Sequence, residues 1–295
     1  MTELWHTLAS AAHLLAHLHA AFALGALVVY LTSVVVVAFR WRLILAALGV
    51  ETSVWNSGLT YSAGVFAGNV TPARTLGGDA VRIALVRLRT GASVKVATAS
   101  VVYDRMSEVP ALAVLALIAL PVLHASMAVL GAIAFLIATL AVVPSIRLAI
   151  ARFVIEWHDA IVGVPVGKGS VAGALGCSLV VWLLDITRIT LEAAAVGVRL
   201  SPSQAATITW IRLFSGLVPV PAGVGVVEGG LVAGLVWFGV AADTAAAVTV
   251  LERAVLYGGG TCLGGLSLML LGGRRILAGR AAVVASDAAE QAFPT

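Results

Sequence analysis

The chain has 295 residues, of which 61% are hydrophobic and only 11% charged, and its formal net charge is +4. A soluble domain carries about 25% charged residues, so this composition excludes an ordinary soluble enzyme and points to a polytopic, all-α membrane protein. The positive balance does not indicate nucleic-acid binding, because the basic residues fall in short stretches between apolar runs, where they set topology and meet anionic headgroups.

Residues 4–19 read as a mildly amphipathic lead. His13 and His17 stand one helical turn apart. No Cys or carboxylate accompanies them, so interfacial histidines are expected rather than a metal site. The start lacks a basic region and a small-residue cleavage site, so the first span is expected to insert as an anchor. That span is the uncharged run 20–39, long enough for a bilayer, which needs about 20 residues. It ends at Arg40-Trp41-Arg42, a basic-aromatic flank of the kind found at the cytoplasmic interface.

Residues 52–73 are uncharged but rich in Ser, Thr, Asn and Gly, with Pro72 at their end. Arg74, Arg82, Arg87, Arg89 and Lys95 follow closely, a density of positive charge that suits the cytoplasm. Residues 52–88 therefore read as a re-entrant helical hairpin that enters from that side and returns to it. Such an element is tolerated only where its broken backbone is buried in protein or lines a wet cavity. Spans are expected next at 96–123 and 127–146. A cytoplasmic loop with Arg147, Arg152 and Lys168 leads to a span at 171–194. A second hairpin, 202–240, would enter from outside. A last span, 244–271, leads to a tail with Arg274, Arg275 and Arg280. The expectation is five spans and two hairpins, N-terminus outside and C-terminus inside, with 224–240 as an alternative further span. Cys177 and Cys262 lie in apolar helical segments and read as small buried residues, not as a disulfide.

The two hairpins carry related sequences. FAGNVTPARTLGGDAVR spans 66–82 and FSGLVPVPAGVGVVEGG spans 214–230. Phe66 and Gly68 align with Phe214 and Gly216. With one inserted residue, Pro72 falls on Pro221 and Asp79 on Glu228. An acid-Arg pair follows each copy, Asp104-Arg105 and Glu252-Arg253, and 252 − 104 = 148 is half the chain. Paired, Pro/Gly-broken apolar segments in corresponding halves point to a transporter-type site at mid-membrane depth. Three spans separate the copies, so they would approach from opposite faces. The expected architecture is one transmembrane domain, 1–295, built as an inverted repeat of about 20–146 and 171–273.

Ionisable groups inside apolar segments are candidates for function, because burying them is costly. In the first hairpin these are Asn69, Arg74, Asp79 and Arg82 around Pro72, with Gly77 and Gly78 permitting close backbone approach. In the second, Arg212 and Glu228 flank Pro219 and Pro221. A helix end with arginines beside it suits a phosphate. The alternative is that Arg74 and Arg82 reach the interface and pair with Asp79. Asp104, Arg105 and Glu108, like Glu252 and Arg253, either line a cavity or pair within their own helix. Asp185, Arg188 and Glu192 share one helix face, as a neutralised stripe or a substrate contact. No GxxxxGK[ST] loop, metal-ligand spacing or nucleophile elbow is present, so no catalytic residue, metal or cofactor is assigned.

RWR at 40–42, GNVTPARTLGGDAVR at 68–82, ATASVVYDR at 97–105 and GLVPVPAGVGVVEGGL at 216–231 together resemble the flippase-like integral membrane family. That family includes the N-terminal transmembrane domain of lysylphosphatidylglycerol synthases. The resemblance implies a helical domain of the prokaryotic plasma membrane that moves modified phospholipids or lipid-linked intermediates between leaflets. The sequence has no counterpart of the synthases' aminoacyl-transferase domain, so translocation is expected rather than synthesis. On this reading Arg74, Arg82 and Arg105 neutralise a phosphate, while Asp79, Asp104, Glu228 and Glu252 hold those arginines or exchange protons. Anionic membrane lipids and a lipid-synthesis enzyme are the expected partners. A membrane-embedded lipid-modifying enzyme and an accessory subunit of a cell-envelope enzyme are the rival readings.

Overall fold

The computed structural model describes residues 10–11, 13–71, 74–123, 168–216 and 224–272. Helices follow one another without a strand among the described residues: α1 (Ala20–Ala47), α2 (Val54–Val70), α3 (Arg74–Thr90), α4 (Val94–Leu123), α5 (Lys168–Ala195), α6 (Pro202–Ser215), α7 (Val226–Trp237) and α8 (Ala242–Glu252). A π-helical turn, Arg253–Gly258, joins α8 to α9 (Gly259–Leu270). Pro72, Pro219, Pro221, the expected span 127–146, the loop arginines 147 and 152 and the tail from 273 lie outside the described residues.

Helix α1 shows which solvent the chain is built for. Leu24, Val28, Leu31 and Val35, spaced by four and three residues, form an exposed apolar stripe, while Tyr30, Val37, Trp41 and Ile44 are buried on other faces. A stripe of that kind is a liability in water and at ease against lipid. Among the described residues, α1 and Gly169–Ala195 of α5 are long and apolar enough to cross a membrane. Helix α7 has only 12 residues, about 18 Å at 1.5 Å per residue. It is too short to cross alone the roughly 30 Å of a hydrocarbon core, so the alternative further span at 224–240 is set aside. Neither cysteine is buried: Cys177 is half-buried and Cys262 exposed, because a thiol on an apolar helix is as compatible with lipid as with a protein core.

The sequence α1 does not stop where its charges begin. It runs through Arg40-Trp41-Arg42 to Ala47, and Arg40 and Trp41 are fully buried. The expected interfacial flank is thus an interior feature, for a reason given by its partners below.

Helix starts recur at constant spacing: 168 − 20, 202 − 54 and 242 − 94 are each 148. The punctuation recurs too. Gly49 and Gly197 both take left-handed backbone, φ +77° and +84°, which glycine adopts without a Cβ penalty and which ends a helix. After each, a backbone N–H returns to the helix: Val50 to Leu45 and Val198 to Ala193, both 2.9 Å. Ser53 and Ser201, the next pair at that spacing, are the N-caps of α2 and α6, their hydroxyls accepting from the Asn56 and Gln204 amides.

Helices α1 and α5 pack along each other as the largest interface. Across the two halves, α2 packs against α9 and α6 against α4. The close packing of α2 uses glycine. A Cβ on Gly264 would run into the Ser62 carbonyl and Phe66, and one on Gly78 would lie 2.8 Å from the Gly64 oxygen. Small residues at helix contacts are what lets backbones approach in membrane proteins. Helix pairs α2–α3 and α6–α7 pack on each other, so the helical hairpins read from sequence are present as helix pairs.

Candidate functional site

Two buried charge clusters sit on the core helices. The first centres on Asp104 of α4, which is fully buried. Its Oδ1 accepts from Arg40 Nε of α1 at 2.8 Å and its Oδ2 from Arg82 Nη2 of α3 at 2.7 Å. Arg40 also donates to Glu108 at 2.8 Å and to Ser178 of α5 at 3.0 Å. Two helices, α4 and α5, are tied to α1 by one guanidinium, which is why Arg40 is interior. Arg82 lies against two aromatic rings, its Cζ 4.3 Å from the Trp41 centroid and 5.1 Å from Tyr61, contacts that fix the guanidinium plane. Asp79 closes the cluster, 2.9 Å from Arg105 Nη2 and 3.5 Å from Arg82 Nη1.

The second cluster centres on Arg188 of α5, also buried. It donates to Asp185 at 2.8 Å and to Glu192 at 2.6 Å on its own helix, and its Nη2 stands 3.6 Å from Glu252 of α8. Arg212 of α6 bonds Asp185 and lies 3.7 Å from Glu252. Arg40 and Arg188 are themselves 188 − 40 = 148 apart, the spacing of Asp104 and Glu252. The second guanidinium stands on a different helix in each half: 212 − 64 and 230 − 82 are also 148. The first half has Gly64 on α2 and Arg82 on α3; the second has Arg212 on α6 and Gly230 on α7. Gly64 makes room for its arginine, since a Cβ there would meet Arg82 Cγ at 2.6 Å, whereas a Cβ on Gly230 would meet Ser215 and Ile211 of α6.

Both clusters border one cavity of about 330 Å³. Asp79, Arg82, Arg105 and Glu108 of the first cluster and Asp185 and Arg212 of the second line it, together with Tyr30, Tyr61, Asn69 and Trp182. Arg82 has 2% of its surface exposed, yet its Nε and Nη1 make no hydrogen bond. Nη1 faces the Asp79 carboxylate at 3.5 Å; buried donors are nearly always satisfied, so Nε marks where an acceptor belongs.

A family model described as lysylphosphatidylglycerol synthase TM region matches residues 3–264. The chain belongs to that family. Membership carries a place in the membrane and a role connected with lipid. No curated protein matches the chain.

For this member of the lysylphosphatidylglycerol synthase TM family, the structure distributes the residues singled out from sequence over three places. Asn69, Asp79, Arg82, Arg105 and Arg212 line the cavity. Asp104 and Glu252 lie behind it, each gripping arginines that face it. Glu228 and Arg253 form a separate pair at 2.8 Å, and Glu228 also caps α7 by accepting the Gly225 amide at 2.7 Å. The acid of each acid-Arg pair is met from other helices, Asp104 by Arg40 and Arg82 and Glu252 by Arg188 and Arg212, so the reading of simple intrahelical pairing is replaced. Arg82 is buried rather than interfacial, because Asp104 and two rings hold it. Arg74 begins α3.

Glu252 and Arg253 point to different partners, as Asp104 and Arg105 do, and a π-helical turn begins at Arg253. Such turns are frequent at functional sites. This one brings Tyr257 to α2. Tyr257 donates to the Asn69 carbonyl at 2.9 Å, and Asn69 Nδ2 donates to Thr261 at 3.0 Å. Asn69, one residue before the end of α2, is thereby latched to the other half. Arg40 and Ser178 were not singled out as site residues from sequence. The signal that marks them is the spacing of 148 residues shared with Arg188 and Tyr30.

Proposed function

We propose that this chain moves a phosphate-bearing, anionic lipid between the leaflets of the prokaryotic plasma membrane, with the headgroup in the cavity and the acyl tails in the bilayer. The observation that carries this reading is Arg82, which is buried against the Trp41 and Tyr61 rings and lines the cavity, its Nε and Nη1 making no hydrogen bond and Nη1 facing Asp79 at 3.5 Å. A buried guanidinium donates short, charge-assisted hydrogen bonds to a phosphate. Arg105 and Arg212 supply further positive charge around the same space. A cavity of about 330 Å³ is near the lower end for ligand sites and suits a headgroup rather than a whole lipid.

The constant spacing of helix starts, caps and charged residues supports two duplicated halves, which we place as an inverted repeat. In it α2–α3 and α6–α7 are re-entrant hairpins from opposite faces, and a lipid-synthesis enzyme supplies the cargo. The hairpins are tested with a chain whose Cys177 and Cys262 are replaced by Ser. Single cysteines at Thr71 and Val224, beside the two breaks, should label with impermeant reagent from opposite sides of oriented vesicles. Labelling of both from one side sinks the inverted arrangement.

The cargo site is tested in phosphatidylcholine vesicles doped with acyl-labelled phosphatidylglycerol. Losing charge-assisted hydrogen bonds costs about 1.5–3 kcal/mol, so Arg82→Lys should slow leaflet exchange by roughly 10-fold or more. Arg105, whose side chain is 38% exposed, can be changed with less strain on the fold, and Arg105→Gln should also slow exchange. Arg89→Lys, away from the cavity, should not. Exchange indifferent to both Arg82 and Arg105 rules the site out.

A further inference from the structure

The two charge clusters differ in balance. Around Asp104, three guanidiniums (Arg40, Arg82, Arg105) meet three carboxylates (Asp79, Asp104, Glu108). Around Arg188, two guanidiniums (Arg188, Arg212) meet three carboxylates (Asp185, Glu192, Glu252). Glu192 and Glu252 are 0% and 1% exposed. Glu192 Oε2 and both carboxylate oxygens of Glu252 make no hydrogen bond. One guanidinium bridges the two acids, Arg188 Nη1 at 2.6 Å from Glu192 Oε1 and Nη2 at 3.6 Å from Glu252 Oε1.

A surplus negative charge with unpartnered oxygens is expensive at membrane depth. Two carboxyl groups sharing a site cannot both stay ionised cheaply. A bound proton removes the surplus and turns an orphan oxygen into a donor. A metal cation is disfavoured, because Arg188 and Arg212 stand 3.6 and 3.7 Å from the same Glu252 oxygen.

We infer that Glu192 and Glu252 form a proton-binding site behind the cavity, holding one proton between them, and that its occupancy is coupled to the anionic headgroup through Arg212. The coupling rests on the reading of the cavity given above. Arg212 is held from behind by Glu252 and lines the cavity in front. With the proton bound, Glu252 attracts Arg212 less, and the guanidinium is freer to meet a phosphate. With the proton gone, Glu252 competes with the phosphate for it. Proton and anion therefore favour each other's binding, reciprocally and by the same factor.

The other charged and titratable groups around the pair are accounted for from each helix packed on α5. Helix α1 brings Tyr30 and Arg40, α4 brings Asp104 and Glu108, both bonded to Arg40, α6 brings Arg212, and α8 brings Glu252 itself and Asp243, with Arg253 just beyond it paired to Glu228 of α7. His19, exposed, donates its backbone N–H to the Ala195 carbonyl at the end of α5.

The test is infrared spectroscopy of the full chain in phosphatidylcholine vesicles, with ¹³C-labelled glutamate to separate Glu from Asp. The parent should show a protonated-glutamate C=O band at neutral pH that shifts in D₂O, and Glu192→Gln or Glu252→Gln should remove it. Adding phosphatidylglycerol should carry the band to higher pH. Absence of a glutamic-acid band in the parent overturns the proton site, as does a band that survives both substitutions. A band unmoved by phosphatidylglycerol overturns the coupling. Binding that follows sodium concentration rather than pH replaces the proton with a metal cation and overturns the proposal. The parent spectrum decides the site even where a variant fails to fold. The band does not depend on Arg82, so its loss and the loss of Arg82-dependent exchange are separate failures.

Discussion

In detergent, Asp104→Ala is expected to lose about 3–5 kcal/mol of stability relative to the parent chain, the cost of leaving buried charge without its counterion. Asp104 receives two guanidiniums from two other helices, Arg40 at 2.8 Å and Arg82 at 2.7 Å, and all three side chains are buried. Removing the carboxylate strands both. Arg40 keeps Glu108 and Ser178, but Arg82 keeps only Asp79 at 3.5 Å. Asp104→Asn, which retains one acceptor and the volume, should fall between. Arg89→Ala, on the exposed end of α3, should stay within about 0.5 kcal/mol. Thermal unfolding followed by size-exclusion chromatography ranks the variants. Equal midpoints for Asp104→Ala and Arg89→Ala would show that Asp104 is not the keystone of its cluster.

Gly264→Leu should be the second most damaging change, for a packing reason. At that position α9 meets α2 so closely that a Cβ collides with the Ser62 carbonyl and lies 2.7 Å from Phe66 Cβ. Backbone cannot yield as a flexible side chain can, so α2 must move. Overpacking of this kind costs about 1–3 kcal/mol. The displacement also reaches the cavity, because Tyr61, Gly64, Val65 and Asn69 all ride on α2. Gly176 of α5 is the control. A Cβ there meets nothing within 4 Å, so Gly176→Ala should be neutral or gain roughly 0.5–1 kcal/mol of helix propensity. If Gly264→Leu melts with the parent and keeps its lipid exchange, the α2–α9 contact does not position the cavity.

Membrane class and the helical fold were legible from composition and apolar runs, since burial in lipid demands both. The ends of α2 at Val70 and of α6 at Ser215 fall close before the prolines that divide each hairpin in the sequence, while Pro72 and Pro221 themselves lie outside the described residues. The spacing of 148 residues was visible in Asp104 and Glu252, and it extends to Gly49 and Gly197, Ser53 and Ser201, and Arg40 and Arg188. Those pairs are caps and cluster centres that no single local motif would single out. The first span was read too short, because Arg40 has the look of a flank residue until its partners are known.

What the sequence by itself determined is therefore the membrane setting, the helix breaks, the repeated punctuation and which residues carry charge in apolar company. Those properties are local or periodic, written in runs of side chains and in the glycines and serines that end and start helices. Only the tertiary structure decided the partners. Asp104 is met by residues 64 and 22 positions away, not by its neighbour Arg105, and Glu252 faces Arg188 and Arg212 while its neighbour Arg253 pairs with Glu228. Exchange of Gly64 and Arg82 for Arg212 and Gly230 kept the charge in place while moving it between helices. Coulomb attraction depends on distance in space, and residues far apart along the chain are set at ion-pair distance only by the packing of α1, α4, α5 and α8.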